Sequence, residues 1–371
     1  MNKWTYTTLG KISEIITGPF GSQLHQSDYV EQGIPVVMPQ DIDNRKVNYA
    51  SINYVSNEDA IRLERYKTII NDILYARRGD VEKHAFIKEK DNGVLCGTGC
   101  LRVRITTSEV EPEFISFFLN REETRKWLVT HAVGTNMPNL NTDILSDVPI
   151  AYPLLEEQRR IVQVLNSIDE KIALNSAVND NLSAMAYDIY MHNFFSKKPN
   201  AKLKDILTEA EKSAIQVGEA KTSNGEYPFF TSGATILKWN EPFVDGRNCF
   251  LNTGGNADVK FYVGKAAYST DTWSISAKSE MSDYLYLMLF SIKPELDQKF
   301  FQGTGLKHLQ KPLLKDRPIY VPEKLELEAF NRQVMPMFDI ISENTRENQQ
   351  LTSLRDWLLP MLMNGQATIS D

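Results

Sequence analysis

Twenty residues beginning at Gly134, GTNMPNLNTDILSDVPIAYP, return from Gly303 as GTGLKHLQKPLLKDRPIYVP, and no other feature constrains the fold of this chain so strongly. The offset of 169 residues holds at Gly134 and Gly303, Leu140 and Leu309, Pro149 and Pro318, and Pro153 and Pro322. It continues downstream, where Ile172, Asn175, Leu182 and Ile189 fall on Ile341, Asn344, Leu351 and Leu358. A chain duplicated on this scale builds two similar modules, expected here to be related by a pseudo-two-fold axis. Such a shape suits a two-fold target, of which duplex DNA is one.

A length of 371 residues with 42% hydrophobic content allows two or three domains with ordinary cores. No segment reaches the roughly 18 uninterrupted apolar residues of a membrane span, and MNKWTYTTLGKISEI lacks the build of a signal peptide, so a cytoplasmic location is expected. Cys96, Cys100 and Cys249 are too few for a disulfide framework or a four-ligand zinc site, and CGTGC reads as a strand end and turn with small buried thiols. His84, His131 and His192 have no ligand spacing, and no metal site is expected. The charge balance argues against a free-standing nucleic-acid binder, with 41 Lys and Arg against 48 Asp and Glu. Residues 1–150 hold 17 basic against 20 acidic side chains, and residues 201–322 hold 15 against 14. Any affinity for DNA must therefore come from local patches or be shared with basic partner subunits.

The hydrophobic pattern divides the chain into four blocks. Residues 1–153 mix short strands (34–38, 73–76, 85–88 and 101–105) with one helix near residues 112–130, as expected for a globular α/β module. From 154 to 196 the apolar residues Ile161, Leu165, Ile168, Ile172, Leu182 and Ile189 follow helical spacing, with Glu156 and Glu157 at the start and Pro199 beyond the end. A second strand-rich module, glycine- and aromatic-rich, covers 197–322, and a second helix with Phe338, Ile341, Leu351, Leu354 and Leu358 as its stripe covers 323–371. Helices of this length span roughly 50 to 60 Å, more than a small module can cover, so the two stripes are expected to pack on each other antiparallel. Asn175 and Asn344 then lie mid-helix and near each other, either fixing register in the seam or on its solvated edge. Pro336 should kink the second helix or delay its start.

The residues also carry a family resemblance. ITGPFGSQLHQSDYVEQGIPVVMPQDI from Ile16, DILYARRGDVEKHAFI from Asp72 and LCGTGCLRVR from Leu95 resemble an amino-terminal target recognition domain of a type I restriction-modification specificity subunit. PLLEEQRRIVQVLNSIDEKI from Pro153 resembles the central helical region of that family. YPFFTSGATI, LNTGGNADVKFYVGKAAYSTDTW and GTGLKHLQKPLL are similar to its second recognition domain. The distal helix departs from the EEQ pattern, reading PEKLELEAF from Pro322. The resemblance implies an α/β fold of two pseudo-two-fold-related globular target recognition domains joined by two long helices packed as an antiparallel coiled coil. It implies a chain that is non-catalytic alone and in which each domain reads one half of a split, asymmetric site on double-stranded DNA. The helices would set the spacer and dock two methyltransferase subunits, which two restriction (motor-nuclease) subunits can join. No cofactor belongs to the chain itself on that reading: S-adenosylmethionine sits in the methyltransferase partners, and ATP with Mg in the motor partners. The sequence has no NPPY-type loop, no GxxxxGK[ST] and no nuclease carboxylate cluster. A two-headed protein-interaction adaptor and a subunit of a simpler methylation and cleavage system are the alternatives.

Base edges in the major groove call for Arg and Lys against guanine and Asn and Gln against adenine, while phosphates take Lys, Arg, Ser and backbone amides. On glycine-punctuated loops of the first module the candidates are Ser22, Gln23, His25, Arg77, Arg78, Thr98, Asn136 and Asn139. In the second they are Thr231, Ser232, Lys238, Asn252, Thr253, Asn256, Lys265, Thr270, Thr272, Lys307 and His308. Competing uses stand beside these: Arg77 and Arg78 pairing with Asp80 and Glu82, and residues 270–273 forming a buried strand. Phe20, Phe229 and Phe230 are assigned to the core, and no residue is assigned a catalytic role.

Overall fold

The computed structural model describes residues 4–134, 138–303, 305 and 307–369. The chain forms two compact units, Met1–Asp169 with Ser353–Asp371, and Glu170–Thr352.

In the first unit an antiparallel sheet runs in the order Ser13–Thr17, Cys100–Ile105, Ile73–Ala76, His84–Phe86. Side chains alternate across it, as the two-residue period of a strand requires. Ile73, Tyr75, Leu101 and Val103 bury against Phe114, Phe117 and Phe118 of the helix Pro112–Leu119. Leu74, Ala76 and Cys100 bury on the other face, against Val36, Val37, Val55 and Leu95 of a second sheet. In that sheet Leu95–Cys96 runs parallel to Ile34–Val37. Thr5–Thr8 pairs with Pro149–Tyr152 and ties the two ends of the module together. The single helix expected near residues 112–130 is two, Pro112–Leu119 and Glu122–His131. The Asn120 amide is taken by the carbonyls of Ser116 and Phe117, and Arg121 turns extended with its guanidinium 3.6 Å from the Phe118 ring centre.

The second unit repeats the main sheets of this plan. Its sheet runs Leu207–Glu209, Thr272–Ala277, Arg247–Asn252, Val259–Val263, again all antiparallel. Tyr227–Phe230 lies parallel to Ala267–Tyr268, and Ala201–Lys202 pairs with Pro318–Ile319. The duplication visible in sequence only from Gly134 and Gly303 onward is thus a duplication of the module.

The long helices are Leu155–Phe194 and Lys324–Met363, 40 residues each. Pro336 neither ends nor delays the second. Phe330, Val334 and Phe338 bury on one stripe around it, and that burial outweighs one lost hydrogen bond. Within each unit the helical segments run antiparallel: Asp169 pairs with Arg355 in the first, while in the second Phe194 packs on Phe330 and Asn175 bonds Asn348. Asn175 is buried, and its Nδ2 donates to Asn348 Oδ1 at 2.9 Å and Glu347 Oε2 at 2.6 Å. Asn344 Nδ2 donates to Asn179 Oδ1 at 2.8 Å. The two residues do not bond each other; each bonds the repeat equivalent of the other's partner. Asn179 and Asn348 also each reach, at 3.4 Å, the carbonyl of Ile341 and Ile172 respectively. A polar ladder of this kind is satisfied in one register only.

His84 lies fully inside the first unit, stacked on Tyr75, with Nε2 3.0 Å from the Ser116 carbonyl and 3.1 Å from its hydroxyl. Burial, reinforced by the Arg45 cation, pushes its pKa down to about 3. The unfolded chain therefore binds a proton between pH 6.5 and 3 that the folded unit refuses, so stability is present above pH 6.5 and is lost as pH falls. Denaturant titrations should show about 2 kcal/mol less stability at pH 5 than at pH 7 from this group. The His84→Gln protein, which cannot titrate there, should lack that share of the loss.

Candidate nucleic-acid interface

Four loops of the first unit converge, and the contacts that join them are specific. The Gly18 amide donates to the Cys100 carbonyl at 2.9 Å, and a Cβ on Gly18 would stand 2.1 Å from the Gly97 carbonyl oxygen. Only glycine lets these turns touch. Thr98 Oγ1 donates to the Pro19 carbonyl at 3.0 Å, the Arg77 amide to the Gly99 carbonyl at 2.8 Å, and the Leu140 amide to the Arg77 carbonyl at 2.9 Å. Gly79, at φ +77°, donates to the Pro138 carbonyl and reverses the chain directly after the two arginines. The Arg77 guanidinium lies 6.0 Å from the ring centre of Phe20, which is 56% exposed. Arg78 is exposed, and among the described residues neither arginine has an acidic partner. Asp80 pairs with Lys83 instead, at 2.8 Å.

The second unit makes the same backbone bonds. The Thr253 amide donates to the Asp271 carbonyl at 2.9 Å, as Arg77 does to Gly99, and the Leu309 amide to the Thr253 carbonyl at 3.0 Å, as Leu140 does to Arg77. His308 bridges Gly254 as Asn139 bridges Arg78. Thr270 occupies the turn that Thr98 occupies in the first unit. The loops enclose a cleft of about 670 Å³ whose lining includes Ser232, Asn252, Thr253, Asn256, Asp271 and His308. Its one lining lysine, Lys293, pairs with Asp258 at 2.9 Å, and outside the lining Lys260 pairs with Asp258 at 3.5 Å and Lys307 with Asp297 at 3.0 Å.

Two modules of one topology, each presenting a matched loop cluster, agree with what the comparisons find. The family model described as the type I restriction modification DNA specificity domain matches residues 1–184 and again 197–352. The chain belongs to that family. It is 22% identical to the putative type I restriction enzyme MjaX specificity subunit of Methanocaldococcus jannaschii, over 99% of this chain and 94% of that one. It is 21% identical to the type I restriction enzyme HindI specificity subunit of Haemophilus influenzae, over 99% of this chain and all of that one. In fold it is similar to the crystal structure of the type I restriction-modification system S subunit from M. genitalium, with a TM-score of 0.66 at 15% identity, covering 100% of this chain and 97% of that one.

In this specificity subunit the candidate residues separate by position. Arg77, Arg78, Thr98 and Asn139 meet in one cluster with the loop of Ser22, Gln23 and His25. Ser22 and His25 are exposed, while Gln23 Oε1 accepts from the Phe20 amide and the Tyr66 hydroxyl. Asn136 lies outside the described residues. In the second module Ser232, Thr253, Asn256 and His308 line the cleft, while Thr270 and Lys307 precede its lining residues Asp271 and His308 in the chain. Thr231, Asn252 and Thr272 are buried, and of the three Asn252 lines the cleft: Thr272 Oγ1 lies 3.0 Å from the Ser269 hydroxyl, and Asn252 Nδ2 donates to the Ser232 and Asn256 carbonyls. Thr231 Oγ1 accepts from the Gly233 amide. Lys238 and Lys265 stand apart, lining a different cleft with Tyr227, Asp245 and Arg346. Phe229 and Phe230 are core residues, but Phe20 is not; it is surface beside Arg77. Asp258, Asp271 and Lys293 were missed, because the repeat that aligns Asp271 with Gly99 is carried by backbone bonds and not by sequence. Among the described residues no group of three His, Cys, Asp or Glu is placed to hold a metal, and no helix is long and apolar enough to cross a membrane.

Proposed function

We propose that the chain is the sequence reader of a type I restriction-modification enzyme, in which each module contacts one half of a split DNA target through its loop cluster. The observation that carries this is the matched pair of clusters, built by the same backbone bonds and furnished with different side chains. Similar scaffolds with dissimilar loops read dissimilar half-sites, so the target is asymmetric. The long helices set the gap between half-sites and dock two methyltransferase subunits, and two restriction subunits complete the nuclease. Catalysis, S-adenosylmethionine, ATP and Mg belong to those partners, and the complex works in the cytoplasm. An acidic chain of this composition gains its DNA affinity in the assembled enzyme, where partners supply basic surface.

The test is methylome sequencing of a host with and without this gene, a type I methyltransferase subunit gene being supplied in both. Methylation at one split, asymmetric motif should disappear with the gene. An unchanged methylome favours the two-headed protein adaptor, and a palindromic motif with identical halves contradicts the reading of dissimilar clusters. Methyl transfer by the isolated chain would overturn the non-catalytic assignment.

A further inference from the structure

The two clusters are built alike but charged differently, and the inference drawn from this rests on the reading above. The backbone positions of Arg77 and Arg78 in the first unit are those of Thr253 and Gly254 in the second, as the matching bonds to Leu140 and Leu309 and to Asn139 and His308 show. Arg77 and Arg78 project just before the Gly79 turn with no acidic partner among the described residues. Residues 197–322 contain only two arginines, Arg247 and Arg317. Both are committed: Arg247 to Asp283 at 2.9 Å and Asp339 at 2.6 Å, and Arg317 to Glu295 at 2.8 Å. In their place the lining of the second cleft includes acceptors. Asp271 is exposed on its rim, and the Oδ1 of Asn252, a residue only 5% exposed, has no partner.

A guanidinium presents a rigid fork that matches O6 and N7 of guanine, whereas an ammonium is a point charge that suits phosphate without reading a base. Exocyclic amino groups of cytosine or adenine call for acceptors instead. We propose that Arg77 and Arg78 read guanine in the half-site bound by the first module, and that the second module reads its half-site without any arginine.

The experiment compares the methylomes conferred by the complete enzyme carrying the natural chain, Arg77→Ala, Arg78→Ala or Arg78→Lys. Each alanine variant should lose preference for a guanine by roughly 5- to 150-fold at a position in one half of the motif, the other half remaining as it was. Arg78→Lys should relax the same position as Arg78→Ala, because it keeps the charge and loses the fork. The proposal is overturned if the motif stays unchanged in every variant. It is overturned equally if both halves relax, or if Arg78→Ala weakens methylation uniformly while Arg78→Lys restores it, since those arginines would then hold phosphate. Arg78 is exposed, so its variants should melt with the natural chain. If the natural chain itself confers no split motif, the functional reading has failed; a split motif that no variant relaxes sinks only the guanine assignment.

Discussion

Replacing Arg45 by alanine should destabilise the first unit by roughly 3–5 kcal/mol, the range for removing one partner of a buried ion pair. Arg45 sits at φ +62° beside Asn44 at +43°, backbone that L-residues adopt at a cost, and its side chain is 8% exposed. Its guanidinium carbon lies 3.4 Å from the Phe117 ring centre, Nε donates to Ser116 Oγ at 3.0 Å, and the terminal nitrogens face Asp169 at 3.4 Å and Glu113 at 3.6 Å. Burial lowers its pKa to about 10, which leaves it charged at neutral pH. Asp169 is shared with Arg355 at 3.0 Å, and Glu113 with Lys88 at 3.2 Å, so one arginine ties a loop of the module to both helical segments of its unit. Removing it leaves the Ser116 hydroxyl and part of two carboxylates without their cation. Denaturant titration of Arg45→Ala should show the loss in the first unit's transition, and Arg45→Lys should recover only part of it, because an ammonium cannot stack on Phe117 and reach both acids. A loss below about 1 kcal/mol would mean that the network is solvated enough to behave as a surface pair.

Phe194→Ala should cost the second unit a similar roughly 3–5 kcal/mol by a different route. Phe194 ends the first long helix, is 4% exposed, and packs with ring centres 5.3 Å from Tyr284, 5.2 Å from Phe330 and 6.1 Å from Tyr190. It therefore joins three elements: its own helix, the helix Ser282–Ser291 of the second module, and the second long helix. Alanine leaves a cavity that these three rigid neighbours cannot close, whereas Phe194→Leu keeps most of the volume and should cost less than about 1.5 kcal/mol. Equal losses for the two variants would show that edge-to-face geometry with Tyr284 and Phe330 matters more than volume. The first unit's transition should not move in either protein.

The sequence by itself determined the duplication, both long helices and part of the first module's strand set. The strand Ile73–Ala76 was legible as a short, wholly apolar run buried on both faces, and both long helices were legible from their period-3.6 stripes, patterns that do not depend on what packs against them. The duplication was legible only where both copies keep the same residues, in the tail of each module and in the helices. Its full extent appeared in the sheet order and the paired backbone bonds, because backbone hydrogen bonds fix a topology without fixing a side chain. At Pro336 the helix runs on from Lys324 to Met363: propensity counts the lost hydrogen bond locally, while Phe330, Val334 and Phe338 supply the compensation through tertiary burial. At the candidate interface, sequence could name side chains chemically suited to DNA but not their surroundings. The fold buried Thr231, Asn252 and Thr272, neutralised Lys307 with Asp297, exposed Phe20, and left Arg77 and Arg78 without acidic partners among the described residues. Availability of a polar group depends on which neighbours desolvate or neutralise it, and those neighbours come from loops far apart in the chain that only the tertiary structure brings together.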